Sequence, residues 1–237
     1  LCGLEDSTLT SKFLQLDTCL FSFLSLSLSS LSLPPSIIPS SSLTTLHTAG
    51  LGQWSVINAT GNGPLARQGV SVDKTGPGKL CLIGGTTSPD LTPDSLCNDL
   101  FVLNVGLKGW MKPRVQGDLI PPTAFHRTIV INTNLFLFGG LTPSGPSNCV
   151  HCLNINRMAW SKLETKGTAP CPRYQHSMVT AGGDFFVVYG GTDGVNTFDD
   201  CFLFDTSSST WTPLIPINSQ QPPARANHSA EMTPDKH

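Results

Sequence analysis

Cys149 and Cys152 stand in a C-x-x-C spacing with His151 between them, an arrangement that binds zinc when a second ligand pair lies nearby. No second C-x-x-C occurs in the 237 residues. The pair also falls on an apolar run that reads as a strand, where residues three apart point to opposite faces. Structural cysteines are therefore expected. Asp193, Asp199 and Asp200 could serve as paired carboxylates for acid–base work. Asn98 and Asp99 stand at the equivalent place in an earlier stretch of the chain, which favours a turn-capping role. His126, His176 and His228 could be general bases, yet they recur at intervals of 50 and 52 residues. A group copied into every unit is architecture rather than a catalytic centre. Arg67, Arg173 and Arg225 recur in the same way and are expected to hydrogen-bond backbone carbonyls of neighbouring turns. The chain shows no phosphate-binding glycine loop, nucleophile elbow or H-E-x-x-H helix.

The elements that must position these residues repeat with a period near 50. Trp54, Trp110, Trp160 and Trp211 are 56, 50 and 51 residues apart. The pairs Gly84–Gly85, Gly139–Gly140 and Gly190–Gly191 are 55 and 51 apart, and each follows a short apolar run. Seven residues before the last three tryptophans stand Leu103, Leu153 and Phe204; six before them stand Asn104, Asn154 and Asp205. An apolar residue, then an Asx residue that opens a turn, then a Trp after the turn, describes one hairpin used three times. Ahead of each Gly-Gly run lies a segment with Pro, Arg and His, as in Pro172–Ser177 and Pro223–Ser229; the copy at Pro64–Gly69 keeps Arg67 and lacks the His. Each unit thus holds four short strands. In the second unit they are expected at Arg127–Asn132, Leu135–Phe138, Val150–Ile155 and Trp160–Leu163, with the last leading into the next unit through Gly and Pro. A lone four-stranded sheet cannot bury both faces, whereas sheets stacked radially can.

Gly-Gly after the second strand, an apolar residue seven before Trp, and Arg-x-x-His-Ser before the first strand together resemble the kelch repeat. The resemblance spans about residues 52–230 and implies an all-β, kelch-type β-propeller with one blade per repeat. It covers about three blades plus the first strand of a fourth, so the propeller is incomplete, and Trp54–Ile57 would be a closing outer strand. Within the family, the order of features is most similar to kelch-motif effectors of a late-endosomal Rab GTPase. That likeness implies a non-catalytic scaffold with a protein partner, of which a Rab GTPase is one candidate. A cytoplasmic protein recruited to endosomal membranes in vesicle traffic would follow. The family also includes substrate-recognition propellers of ubiquitin-ligase adaptors and copper radical oxidases. The latter need tyrosine and histidine ligands, and both tyrosines here, Tyr174 and Tyr189, fall on template positions.

Composition excludes other classes. A net charge of −2 with 13% charged residues gives no basic footprint for nucleic acid. Residues 1–50 differ from the rest: a run of alternating Ser and Leu over Phe21–Leu33 is followed by prolines and more serine. This stretch lacks the basic flank of a signal peptide, and its serines interrupt the apolar length that a spanning helix needs. It reads as low-complexity, disordered or non-native sequence ahead of kelch repeats over 51–237, without direct membrane insertion. No cofactor, metal or small-molecule substrate is expected. What remains for function are the loops. Thr86–Asn98 is five residues longer than its counterparts and carries two prolines, which makes Asp90, Pro93 and Asp94 the candidate partner contacts. Leu141–Asn148 and Thr192–Phe198 are expected on the same face.

Overall fold

A computed structural model describes residues 12–16, 54–216 and 221–233. Strands β1 (Lys12–Leu16) and β2 (Trp54–Asn58) pair antiparallel; the rest of the Ser/Leu-rich stretch lies outside the described residues. The first blade is the antiparallel sheet β3 (Ser71–Gly76), β4 (Lys79–Ile83), β5 (Leu100–Asn104) and β6 (Gly109–Met111). After a short strand β7 (Gln116–Gly117), the second blade runs β8 (Arg127–Ile131), β9 (Asn134–Phe138), a small loop hairpin β10 (Leu141–Thr142) and β11 (Gly145–Pro146), β12 (Val150–Asn154) and β13 (Ala159–Lys162). The third follows as β14 (Lys166–Gly167), β15 (Ser177–Gly182), β16 (Phe185–Tyr189), β17 (Cys201–Asp205) and β18 (Thr210–Leu214). The main strands of each blade pair in chain order, and the expected strands of the second unit fall within a residue of β8, β9, β12 and β13.

Period-two alternation decides how the blades stack. Cys81 and Ile83 of β4 join Leu100 and Val102 of β5 against Leu135, Leu137, Leu153 and Trp160 of the second blade. The interleaved Leu82, Phe101 and Leu103 turn the other way, around Trp110. On the far side of the second blade, Phe136, Phe138 and Val150 meet Phe186, Val188, Phe204 and Trp211 of the third. Trp211 is 1% exposed, with ring centroids of Phe204, Phe138 and Phe186 at 4.6, 4.9 and 5.7 Å. Truncating such an aromatic costs about 3–5 kcal/mol. Trp160 and Trp211, one period apart, are thus packing centres between sheets.

The connection between blades differs from the expectation of a direct lead through Gly and Pro. After β6 the chain runs along the outside of the next blade as β7, parallel to β13, and after β13 it does the same as β14 beside β18. The second and third blades each gain a fifth strand that covers the outer edge, which removes an exposed ladder. Gly117 and Gly167 sit there at φ 84° and 75°, where a Cβ would strike the carbonyl oxygens of Trp160 and Trp211.

Seams between blades are tied by backbone. The Gly85 amide donates to Thr123 O at 2.8 Å, Gly140 to Arg173 O at 2.9 Å, and Gly191 to Arg225 O at 2.9 Å. A second chain of bonds links the lead-in segments themselves: Phe125 N to Gly69 O, Gln175 N to Phe125 O, and Asn227 N to Gln175 O, at 2.7–2.9 Å. All four of those residues hold positive φ, from 56° to 67°, three of them without being glycine. The expected first strand of a fourth blade is represented by this lead-in around Arg225–His228, docked on the third blade without a ladder of its own. In the other blades the first strand pairs with the second strand of the same blade, so docking on the preceding blade forms no ladder.

Candidate partner-binding face

Strand alternation places every loop between second and third strands on one face of the propeller. Each is anchored at its base to the lead-in of its own blade, through the bridges Gln68↔Thr86, Ala124↔Leu141 and Tyr174↔Thr192. The long first loop is a built structure. Thr86, 1% exposed, shares a 2.8 Å hydroxyl contact with buried Ser95, whose hydroxyl donates to Thr92 O at 2.7 Å. The Thr87 amide reaches Ser95 O at 3.0 Å, and Pro93–Ser95 forms a 3-10 turn with proline in its first turn. This clamp raises a crest from Thr87 to Asp94, on which Asp90, Pro93 and Asp94 are all exposed.

The third loop is shorter and as firmly held. Asp193 Oδ1 accepts the amides of Val195 at 2.8 Å and Asn196 at 2.6 Å, and Thr192 Oγ1 donates to Asn196 O at 2.6 Å. These hydrogen bonds, first among them from Asn196, hold the Asp193 carboxyl below its ordinary range. Val195 is thereby pushed out at the tip, 91% exposed. Sequence reasoning named its segment and missed the residue; the Asx-turn signal Asp-Gly-Val-Asn was there to find it. The second loop is the hairpin β10–β11, closed by Thr142 Oγ1 donating to Gly145 O at 2.8 Å. Residues 86–98, 141–148 and 192–198 contain three aspartates and no Lys, Arg or His. The three loops therefore present carboxylates and an apolar tip.

Beneath the loops lie the repeated arginines. Arg173 is fully buried; it donates to Gly190 O at 2.9 Å, to Cys171 O at 3.0 Å and to both carboxylate oxygens of Asp200, with its guanidinium 4.3 Å from the Phe198 ring. Arg67 repeats this with Gly84 O and Leu65 O, each at 3.1 Å, and with Asp99. The carbonyl contacts match the sequence reading. Asp99 and Asp200 are corrected from turn caps to ionic partners of these arginines, since each stands at the start of a third strand facing the lead-in of its own blade. The second blade carries Thr123 and Cys149 at the same two places, so it lacks both halves of the pair. Arg225 donates to Pro223 O at 3.1 Å.

The repeated histidines lie in the seams. His126 Nε2 and His228 Nε2 each meet a serine of the preceding blade, Ser71 and Ser177, at 2.9 Å. In the seam between the second and third blades Arg127 stands where the others have serine; its Nε donates to the His176 carbonyl at 3.0 Å, and neither buried ring nitrogen of His176 has a partner. Burial, reinforced by Arg127, drives His126 down to about 3 and His176 well below the ordinary histidine range. Gly84, Gly139 and Gly190 lie against these rings, with His126 Cε1, His176 Cε1 and His228 Cε1 2.8–3.0 Å from where a Cβ would be. In the seam between first and second blades, Asp73 accepts from Thr128 Oγ1, and burial raises its carboxyl to about 6.

Cys149 and Cys152 are free thiols, and burial pushes the Cys152 thiol up. Among the described residues no three His, Cys, Asp or Glu side chains gather as a metal site, and no helix is long and apolar enough to cross a membrane. Tyr189 donates its hydroxyl to Pro222 O at 2.6 Å, and Tyr174 packs on Phe125 with ring centroids 6.3 Å apart.

Comparison with known proteins agrees with this architecture. A family model described as the KLHDC2/KLHL20/DRC7 Kelch-repeats domain matches residues 38–237. The Rab9 effector protein with kelch motifs of Bos taurus is 33% identical over 168 residues, covering 68% of this chain and 44% of the relative. Acyl-CoA-binding domain-containing protein 5 of Arabidopsis thaliana is 28% identical over 170 residues, 71% of this chain and 25% of the relative. The chain thus spans less than half the length of these two relatives. The solved structure of YjhT superposes with a TM-score of 0.59 at 19% identity, over 78% of this chain and 61% of that one, and shares the fold. The seams, the paired glycines and the family match together establish that this chain belongs to the kelch-repeat family.

Proposed function

We propose that this chain is a non-catalytic interaction scaffold whose loop face captures a protein partner. The observation that carries the reading is the crest Thr87–Asp94, raised on a hydrogen-bonded base, with Asp90 and Asp94 free at its top. Rigid elements that present a few exposed groups bind at lower entropic cost than flexible ones. Carboxylates beside an apolar tip favour a partner surface with basic residues around an apolar recess. Likeness to Rab9 effectors with kelch motifs supports a Rab GTPase as that partner, with a place in endosomal traffic.

The test is capture of purified Rab GTPases, loaded with GDP or a GTP analogue, by the whole protein. Replacing the crest Thr87–Asp94 with a short Gly-Asn turn, which keeps Thr86 and Ser95–Asn98 at its base, abolishes capture and leaves the fold intact. Asp90→Lys with Asp94→Lys weakens it at least tenfold, about 1.4 kcal/mol. Equal capture by wild type and both variants would remove the crest from the account; capture of none of the GTPases by wild type would remove the Rab reading.

A further inference from the structure

Strands β1 and β2 form a two-stranded sheet apart from the three blades, yet their register is that of the outer hairpin in every blade. There the third and fourth strands set an apolar residue opposite a tryptophan: Leu103↔Trp110, Leu153↔Trp160 and Phe204↔Trp211. In β1–β2 the pair is Leu16↔Trp54. The residue after the apolar one is Asn104, Asn154 or Asp205, whose side-chain oxygen accepts a turn amide at 2.9–3.0 Å. After Leu16 comes Asp17, followed by Thr18 as Asp205 is followed by Thr206.

The chain leaving β2 matches as well. Six residues beyond Trp54, Thr60 bridges in parallel to Gly109 beside the fourth strand of the next blade, with Thr60 N to Lys108 O and Trp110 N to Thr60 O both at 2.8 Å. Gln116 and Lys166 stand at the same offset from Trp110 and Trp160, in β7 and β14. Gly61, Gly117 and Gly167 follow them, each at positive φ and each placed so that a Cβ would strike the carbonyl oxygen of the next tryptophan.

We infer that β1 and β2 are the third and fourth strands of one more blade, joined across a greatly lengthened turn. Four residues separate Thr206 from Trp211 in the third blade, whereas 35 separate Thr18 from Trp54. The Ser/Leu-rich sequence is then an insertion within a repeat rather than a segment ahead of the repeats. The cost of closing a longer loop grows only with the logarithm of its length, the closure equilibrium falling as the 3/2 power, so a hairpin tolerates such an insertion. Turns between third and fourth strands lie on the face opposite Asp90, Asp94 and Asp193.

Hydrogen exchange on the full chain tests this, beside a variant in which residues 19–53 are replaced by Ser-Ser-Ser-Thr, the turn of the third blade. Amides of Lys12–Leu16 and Trp54–Asn58 are protected in both proteins. The short turn raises that protection by about 25-fold, from the loop-length ratio, and leaves partner capture unchanged. Leu16→Asp removes protection from Trp54–Asn58 and spares the three blades. Exchange of Lys12–Leu16 at unfolded rates in the wild-type chain overturns the inference. So does a Leu16→Asp variant with Trp54–Asn58 unaffected, or a short-turn variant whose blades lose their protection.

Discussion

Replacing Arg173 by Thr tests whether the buried arginine and Asp200 act as a unit. Arg173 has no solvent exposure, and its loss strands Gly190 O, Cys171 O and the Asp200 carboxylate together. Breaking a fully buried pair from one side costs about 3–5 kcal/mol. The Asp200 side chain keeps 36% exposure, so water takes up part of the loss, and about 2–4 kcal/mol is expected. The second blade holds Thr123 and Cys149 at these positions, which shows that the scaffold accepts the joint replacement. Arg173→Thr with Asp200→Cys is therefore expected to cost less than the two single changes summed, by about 1.5–3 kcal/mol. Urea unfolding followed by tryptophan fluorescence, on wild type, both singles and the double, measures the cycle. Additivity within about 0.5 kcal/mol would refute the pairing as a unit.

Two further outcomes follow from the seams. His126 and His176 are held neutral by burial, with folded values below the unfolded 6.5. Their contribution is present above pH 6.5 and lost as pH falls below it, by about 1.4 kcal/mol each at pH 5.5. Asp73 runs the other way, gaining about 0.8 kcal/mol over the same step because its folded value is raised to about 6. The urea midpoint should therefore fall between pH 7 and 5.5, and an unchanged or higher midpoint contradicts the neutral seam. Separately, Gly139→Ala and Gly183→Ala share a left-handed backbone, φ 66° and 55°. Gly183 is open, and its replacement should cost about 1–2 kcal/mol; Gly139, with Arg173 O 2.6 Å from the added Cβ, should cost well beyond that in the same assay. Equal losses would mean the blades do not crowd at the paired glycines.

Most of the fold was legible because its signals are local and repeated. Gly-Gly after an apolar run, and Leu103, Leu153 or Phe204 seven before a tryptophan, each fix a strand pair from nearby residues. What escaped was carried by contacts without periodicity. Strands β7 and β14 are two residues long and parallel, with no alternation to read. Phe125, Gln175 and Asn227 take positive φ without being glycine, where each donates its amide to the bend of the preceding lead-in. Asp99 and Asp200 lie 32 and 27 residues from their arginines, and the middle repeat lacks both partners, which hides the covariation. At the candidate face, loop length pointed to Asp90, Pro93 and Asp94. Exposure of Val195 depends on how Asp193 captures two amides, a geometry that composition does not carry.

The central claim is that a partner engages the face carrying Asp90, Asp94 and Val195. Hydrogen exchange of the whole protein with and without a bound Rab GTPase measures this directly. The account predicts new protection over 86–98 and 192–198, with the turns at Gly76–Lys79 and Val105–Gly109 on the opposite face unchanged. Protection confined to those opposite turns would contradict it.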